Sequence, residues 1–587
     1  MSWIKRPLED PQSPAQLSSI LNDIPLPIAR ALVLRGIDTF DAARRYFRPA
    51  MQQTYDPFRL AGMAAAADRL ARAVEHREKV HICGDFDADG VTSTTILLDF
   101  LSSQGCTVSF SIPDRFIESH GFHRSGVDQA IECGASLIVV VDCGTDSVNT
   151  ADYAAGLERD VIICDHHESK DIHPQCVALV NPMRSDCPYP FKEIAACGLA
   201  YKLVLATLDR LGRPPDAARP LLELVAIGTI ADVMPLIDEN RVLVREGLEI
   251  LRQTTRPGLR ALATGSRLTM EKLVATDVSM KIAPMLNAAG RLEHAEHAVR
   301  LLRASADEAD MWAVKLSALN ETRKDQSRRV QTEARKEARK QMAGSYTHAL
   351  VLVDPKWHPG VLGPAASQIA NRFTRPTLLL TAKPPETVRN PEFLTGSARS
   401  IEGVNIHDAI ASCEDLLDRF GGHAAAAGVT LRSVDYQLFR ERLDAYVKAH
   451  CDPDFLISRI YYDAELRLAD IPGRFMALLR QFQPTGKENE PPVFRVRDAY
   501  VSSVRTVGIN HLQLQVRGRH ADSNGNGDTP QFRCIAFGLG KLFKKLEEMR
   551  QTQSPVEMLC AIEDNTYLGR TTTQLRVEQI RAQTSDP

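Results

Sequence analysis

The sequence predicts an α/β protein in four parts: a domain built on a mostly parallel sheet, a long connecting helix, a second α/β domain, and a small C-terminal β-barrel of OB type. Three observations carry this. Short β-branched runs alternate with helical patterns from residue 80 to about 233, the mark of a parallel sheet. Residues 305–342 form a polar stretch rich in Glu, Arg, Lys and Ala, free of Pro and Gly, which reads as one solvated helix. Strand-like runs with a single helix follow residue 456 and fit a small barrel.

The chain has 587 residues, 44% hydrophobic and 25% charged, which excludes a disordered or fibrous class. At roughly 150 residues per domain the length suggests about four domains. We draw boundaries at 1–50 (an N-terminal lead-in), 51–265, 266–345, 346–450 and 451–587. The lead-in carries helical patterns at 27–35 and 39–46, the second with Asp41 near its start and Pro49 as a stop. It is expected to pack on the domain that follows. Strands are predicted at 80–83, 107–112, 137–141, 161–164 and 177–180, with helices at 91–103 and 148–157 and a buried helix at 221–230. Beyond the connector, strands are predicted at 349–353 and 377–380. The last block has strands at 494–501, 511–516, 532–537 and 568–577, a helix at 542–549, and a Gly- and Asn-rich loop at 521–530.

Lys and Arg number 71 against 74 Asp and Glu, for a net charge of −3. That excludes a basic surface over the whole protein but not a local nucleic-acid groove. The longest apolar runs fall far short of the about 20 residues that span a bilayer, so no membrane partner is expected. The start, MSWIKRPLEDPQ, does not read as a signal peptide. The twelve Cys contain no C-x-x-C pair and read as reduced thiols. Together these imply a cytoplasmic chain.

The informative feature is where the acids fall. The run at 80–83 leads into Asp85, Asp87 and Asp89; that at 137–141 into Asp142; that at 161–164 into Asp165-His166-His167. A parallel sheet gathers its carboxyl ends along one edge, so these residues meet in one crevice. Carboxylates crowded there must take up protons or be neutralised by cations. Oxygen ligands joined by one or two His suit Mn²⁺ or Mg²⁺. A lone strand-end Asp is more often a helix N-cap, a role open to Asp142 and to Asp89, which precedes Gly90. Capping does not require consecutive His or paired acids.

Asp165-His166-His167 is the signature triplet of the DHH phosphoesterases, and the sequence resembles that family over nearly its whole length. Gly84-Asp85-Phe86-Asp87-Ala88-Asp89-Gly90 looks like the first motif, Val141-Asp142-Cys143-Gly144 a second, and Gly228-Thr229-Ile230-Ala231-Asp232-Val233 a later one. Trp357-His358-Pro359-Gly360, Gly396-Ser397-Ala398-Arg399-Ser400 and the stretch 421–428 (GGHAAAAG) resemble the DHH-associated domain. Pro484-x-Gly486 and Asn489-x-Pro491 resemble the entry to the C-terminal module of the family's single-strand-specific exonucleases.

The resemblance implies two ions, Mn²⁺ or Mg²⁺, bridged by Asp142. Asp87, His166 and Asp232 would complete one site and Asp85 the second, with His167 beside the reacting phosphate. We count His167, Asp142 and Asp89 as catalytic. His81 joins the metal set through the H-x-x-x-D-x-D spacing of related pyrophosphatases, although Cys83 holds the equivalent position in the exonuclease branch. Two cations can stabilise both the attacking and the leaving oxygen of a phosphodiester.

Substrate contacts are expected from Arg399, whose planar fork suits phosphate, from Ser397, Ser400 and His423, and from the backbone of Gly421 and Gly422. The stretch 421–428 also reads as a tight turn into a small-residue helix, and Trp357-His358 as a buried aromatic with a polar neighbour. Asn287, Arg291 and Arg115 complete the set, with Ser119 and residues 121–123 in the same loop as Arg115. Met285 stands where the family often has Arg, with Lys281 or Arg291 as its replacement. On the barrel, Arg495, Arg497, Tyr500, Arg505, His511, Arg517, Arg519 and Tyr567 are candidates for gripping single strands by charge and stacking.

The family likeness implies a 5′→3′ exonuclease on single-stranded DNA that releases 5′-mononucleotides in DNA repair and recombination, fed by a DNA helicase and aided by single-strand-binding protein. Two alternatives stand beside it: a short-oligonucleotide or small-phosphoester hydrolase of the same superfamily, and a catalytically silent nucleic-acid-binding scaffold. A scaffold has no need of the full Asp and His set.

Overall fold

The computed structural model describes residues 2–118, 120–169, 172–344, 347–383, 392–518, 530–567 and 570–583. The chain divides into two units, one of Met1–Thr54, Pro235–Arg245 and Arg459–Pro587, the other of Tyr55–Met234 and Glu246–Ser458.

The larger unit begins with a five-stranded, all-parallel sheet. Its order is Thr107–Ser111, Lys79–Cys83, Leu137–Val141, Asp160–Cys164 and Ala178–Val180. Leu137–Val141 reads LIVVV and is buried at every position, as a strand covered on both faces requires. Helix Ala88–Ser103 is buried along most of its length and packs against helices Ala196–Arg210 and Leu222–Ala231. After Lys79–Cys83 the chain adds a strand on one side, then returns to add Leu137–Val141 on the other. The carboxyl ends of these two neighbours therefore flank the topological switch point, where open α/β sheets place ligands.

Helix Ala306–Gly344 runs 39 residues, about 58 Å at 1.5 Å per residue. It is not wholly solvated. Ala309, Ala313, Leu316, Asn320, Ser327, Val330, Ala334 and Ala338 form a buried stripe at spacings of three, four and seven residues. The sheet beyond it is mixed, in the order Leu417–His423, Ala426–Arg432, Phe393–Arg399, Thr377–Ala382, Leu350–Val353. Only the last two strands are parallel neighbours. The segment 421–428 is thus a β-hairpin rather than a turn into a helix. Gly422 makes it possible: its φ is 138°, and a Cβ there would lie 2.4 Å from the Ala426 carbonyl oxygen.

The smaller unit is a barrel. Its strands run in the order Ala464–Leu466, Val493–Val507, His511–Gly518, Gln531–Ala536, Arg570–Ala582, Val556–Tyr567, closed by antiparallel pairing of Val493–Val507 with Val556–Tyr567. The loop predicted at 521–530 lies outside the described residues except for Pro530. The lead-in belongs to this barrel and not to the domain that follows it in sequence. Strand Ser2–Lys5 pairs in parallel with Arg459–Tyr462, and Ile28, Ala29, Ala31 and Leu32 share one core with Phe475, Phe494 and Val496. Their apolar face marks a packing surface without naming its partner, which is why local pattern placed it elsewhere. Arg241 seals the entry loop: its guanidinium donates to the carbonyls of Tyr46, Gln481, Phe482, Gln483 and Pro484 and stacks on the Tyr46 ring. Asn489 joins it, donating to Phe482 and Pro484. Among the described residues no helix is long and apolar enough to cross a membrane.

Candidate metal centre

At the switch point the sheet delivers its acids together. Three groups hold ligand atoms within 4.8 Å of one another: Asp142, His166 and His167; Asp89, His166 and Asp232; and Asp85, Asp87 and Asp142. His166 Nε2 lies 3.2 Å from Asp142 Oδ1 and 3.8 Å from both Asp89 Oδ2 and Asp232 Oδ2.

Local structure explains how each side chain arrives. Asp87 is the N-cap of helix Ala88–Ser103, its Oδ1 accepting from the amides of Asp89 at 2.9 Å and Gly90 at 3.2 Å. Asp142 leaves its strand with φ at 62°, a left-handed conformation that Asp tolerates better than most residues. Asp232 caps helix Leu222–Ala231, and Val233 beyond it also sits at positive φ, 57°. A β-branched residue there is strained, and its carboxylate neighbour is held by a chain reversal. Asp165 builds the triplet rather than the crevice. Its Oδ1 accepts from the His166 and His167 amides and, at 2.7 Å, from His167 Nδ1, while Oδ2 accepts from Thr145.

Two sequence expectations change. Asp89 does not cap its own helix. Its carboxylate accepts from the amides of Ala196 at 2.8 Å and Cys197 at 2.9 Å, at the start of helix Ala196–Arg210, so it ties two helices beneath His166. His81 stands apart from the acid groups: Nδ1 pairs with Ser109 Oγ at 2.8 Å and Nε2 with Ser111 Oγ at 3.0 Å. Both ring nitrogens are engaged, and burial lowers its pKa to about 4.

The charges fit divalent cations. Asp142 is 2% exposed. Burial, then the charges of Asp87, Asp89, Asp85 and Asp232, push its carboxyl well above the ordinary range. Burial also raises Asp85 and Asp89. Asp85 Oδ1 is buried with no hydrogen-bond partner. Such a set cannot keep its charges without protons or cations, and an ion reverses the tendency. Burial lowers His166 and keeps its imidazole neutral, as a ligand must be. His167 is the opposite case: burial would lower it, but the hydrogen bond and charge of Asp165 raise it to about 9.

Opposite the acids stand four arginines. Burial, then the nearby charge of Arg115, hold Arg291 down at about 9, with Arg323 and Arg399 adding to the repulsion. Arg399 donates to Ser397 Oγ at 2.9 Å, Arg323 to Asn320 Oδ1, and Arg115 lies over the Phe86 ring at 3.9 Å. Burial lowers all three. Grouped cations without bonded carboxylates form an anion site. Ser400 instead donates to the Val404 carbonyl, and Asn287 Oδ1 accepts from the Ala88 amide at 2.9 Å, so both brace loops. Gly421 lies in the hairpin strand, and His423 at its end sits 3.5 Å from Glu168, beside the triplet. Met285 is buried and Lys281 pairs with Asp277 at 2.8 Å, leaving Arg291 as the replacement that joins the arginine group. Trp357 is buried and donates to Glu333, and His358 accepts from Gly360.

Helix Ala283–Leu292 joins the two sides by close backbone contact. A Cβ at Gly290 would lie 2.2 Å from the Phe86 carbonyl oxygen, and one at Gly360 would lie 2.0 Å from the Arg291 carbonyl oxygen. On the barrel, Arg495 and Arg581 clamp the fully buried Glu557, each at 2.6 Å, so Arg495 is structural. Arg505 and Arg517 bond Gln513 and Gln553, Arg517 lies over Tyr500, and His511 packs on exposed Phe537. Arg497 has a buried Nε. Ser119, Arg519 and the Tyr567 side chain lie outside the described residues.

Sequence reasoning missed two residues. Arg323 sits on the buried stripe of the long helix, where a charge among small residues is the signal. His120 follows the strand Thr107–Ser111, whose carboxyl end lies on the acid edge. Its Nδ1 is 3.2 Å from Asp85 Oδ1 and its ring 4.7 Å from that of His167.

Comparison with known proteins matches residues 79–229 to the DHH family N-terminal domain, 344–449 to the DHHA1 domain and 462–579 to the RecJ OB domain. The single-stranded-DNA-specific exonuclease RecJ of Salmonella typhimurium is 33% identical over 577 residues, covering 95% of this chain and 96% of that protein. RecJ of Bacillus subtilis is 38% identical over 546 residues, covering 92% of this chain, which spans 66% of that longer relative. The crystal structure of RecJ from Thermus thermophilus in complex with Mn²⁺ superposes with a TM-score of 0.79 at 28% identity, over 100% of this chain and 80% of that one.

Proposed function

The chain belongs to the RecJ family of DHH phosphoesterases, and from that premise we propose that it hydrolyses single-stranded DNA from the 5′ end and releases 5′-mononucleotides, in DNA repair and recombination. The observation that carries the reading is the convergence of Asp85, Asp87, Asp142, His166 and Asp232 opposite Arg115, Arg291, Arg323 and Arg399. Asp85, Asp87, Asp142, His166 and Asp232 would hold two ions, Mn²⁺ or Mg²⁺. When bound, such ions offset the charge that develops on the attacking and leaving oxygens of a phosphodiester.

The chain's own groups supply the rest. The arginines bind and orient the strand's phosphates, and burial strengthens that attraction. His167, kept protonated by Asp165, points its remaining N–H toward the reacting phosphate and can give its proton to the leaving 3′-oxygen. Asp165 therefore positions His167 and does not meet the substrate. The carboxylates fix geometry and are not general bases while they ligate. Arg505, Arg517, Tyr500 and His511 grip single strand by charge and stacking. A DNA helicase supplies the single strand, single-strand-binding protein assists, and the setting is cytoplasmic.

Timed digestion of single-stranded DNA labelled at either end, with Mn²⁺, Mg²⁺ or chelator, tests this. Mononucleotides should appear first from the 5′ label, and none should appear with chelator or with Asp142→Ala. Equal kcat/KM on a dinucleotide and a long strand would favour the short-oligonucleotide alternative, since the barrel would then contribute nothing to substrate choice.

A further inference from the structure

The two faces of the metal centre are unequal. The group around Asp232 includes the His166 imidazole, while Asp85, Asp87 and Asp142 offer only oxygen. We propose that His120 is a ligand of the ion at Asp85 and gives that face the nitrogen donor it otherwise lacks. The inference rests on the two-ion reading above.

Three observations carry it. The first is distance: His120 Nδ1 stands 3.2 Å from Asp85 Oδ1. Two donors held about 2.1 Å from one ion at a right angle are about 3.0 Å apart, so the spacing suits an ion shared with Asp85; His120 stands outside the close group of Asp85, Asp87 and Asp142, and its ring must close toward them as the ion binds. The second is direction. Asp85 Oδ1 is buried and has no aligned hydrogen-bond partner, although the imidazole is within reach. A ring nitrogen and a carboxylate oxygen that lie close without pointing at each other are disposed to meet at a third point. The third is support. The His120 ring packs edge-on to His167 at 4.7 Å and to Phe86 at 6.4 Å, which fixes its plane at the lip of the crevice. Its side chain is 44% exposed while that of Asp85 is buried, so the ring reaches the acid from the solvent side.

The chemistry has a direction. An imidazole favours Mn²⁺ over Mg²⁺ more than a carboxylate does, so the ion at Asp85 should be the one that discriminates between them.

Titration of the full chain with Mn²⁺, read by the paramagnetic resonance of the free ion, tests the assignment without activity. Wild type should bind two ions. His120→Ala should keep the first unchanged and bind the second at least tenfold more weakly, the loss expected when a metal's immediate support is removed. His120→Asp should recover part of that loss, because a carboxylate can ligate. Two results overturn the proposal: unchanged binding of both ions by His120→Ala, or weaker binding by His120→Asp than by His120→Ala, which would make His120 only a donor to Asp85. If wild type binds two ions and Asp142→Ala fewer, the two-ion reading stands whatever His120 does. A wild type that binds none removes both.

Discussion

Asp142→Asn should make the ion-free protein more stable while destroying what it does with metal. Asparagine is the informative replacement because Asp142 sits at φ 62°, which Asn accepts as readily as Asp, whereas Ala would add backbone strain. Ligand atoms of Asp85 and Asp87 lie within 4.8 Å of the Asp142 oxygen. At an effective dielectric of about 20, each fully ionised pair at that distance costs about 3.5 kcal/mol. The cluster escapes most of this by holding protons, so we expect a gain of roughly 1–2 kcal/mol, or about 1–3 °C for a unit of this size. The sign follows from the raised carboxyl. A group whose folded pKa lies above its ordinary value favours folding when protonated, and that contribution is lost as pH rises through the raised value. In chelator the variant should therefore melt above wild type, by a margin that widens as pH rises above the ordinary carboxylate range. Saturating Mn²⁺ should invert the order, since each ion at a hundredfold its Kd adds about 2.7 kcal/mol to wild type. Differential scanning fluorimetry across that pH range, with and without Mn²⁺, reads both effects. A variant that melts below wild type in chelator at every pH refutes the claim that the acids strain the ion-free site.

Two further outcomes follow from the same geometry. Asp165→Asn removes the charge that raises His167 to about 9, so the alkaline limb of kcat should move down toward 6.5, with activity lost as pH rises through the lower value; the pH–rate profile on a short single strand measures it. Arg323→Ala should lower kcat/KM on single-stranded DNA by roughly tenfold or more, as expected for a charge-assisted phosphate contact, with Mn²⁺ binding unchanged; steady-state kinetics and metal titration on the same variant separate the two.

The first sheet is legible because its strands are β-branched, buried on both faces and separated by amphipathic helices. The run LIVVV at Leu137–Val141 needs no context. The metal acids are legible because they follow those strands directly. Legibility fails where one position serves two ends. Asp87 reads as a ligand, yet it also caps its helix, and Asp89, which reads as that cap, instead holds a second helix 107 residues away. The hairpin at 421–428 escapes because Gly and Ala carry no strand signal, and Val556–Tyr567 because its register depends on a distant partner. Arg323 and His120 are hidden by their surroundings. One lies in a helix most of whose charges face water, the other in a loop whose neighbours are more conspicuous.

The two glycines flanking the crevice act as a gauge. Gly290 lets one helix rest against the Phe86 carbonyl, and Gly360 lets the following domain rest against the next residue of that same helix. The aperture between acids and arginines is thereby set by main chain touching main chain, which side-chain rotation cannot loosen. A side chain at either seat would have to push these backbones apart, and the gap between acids and arginines with them.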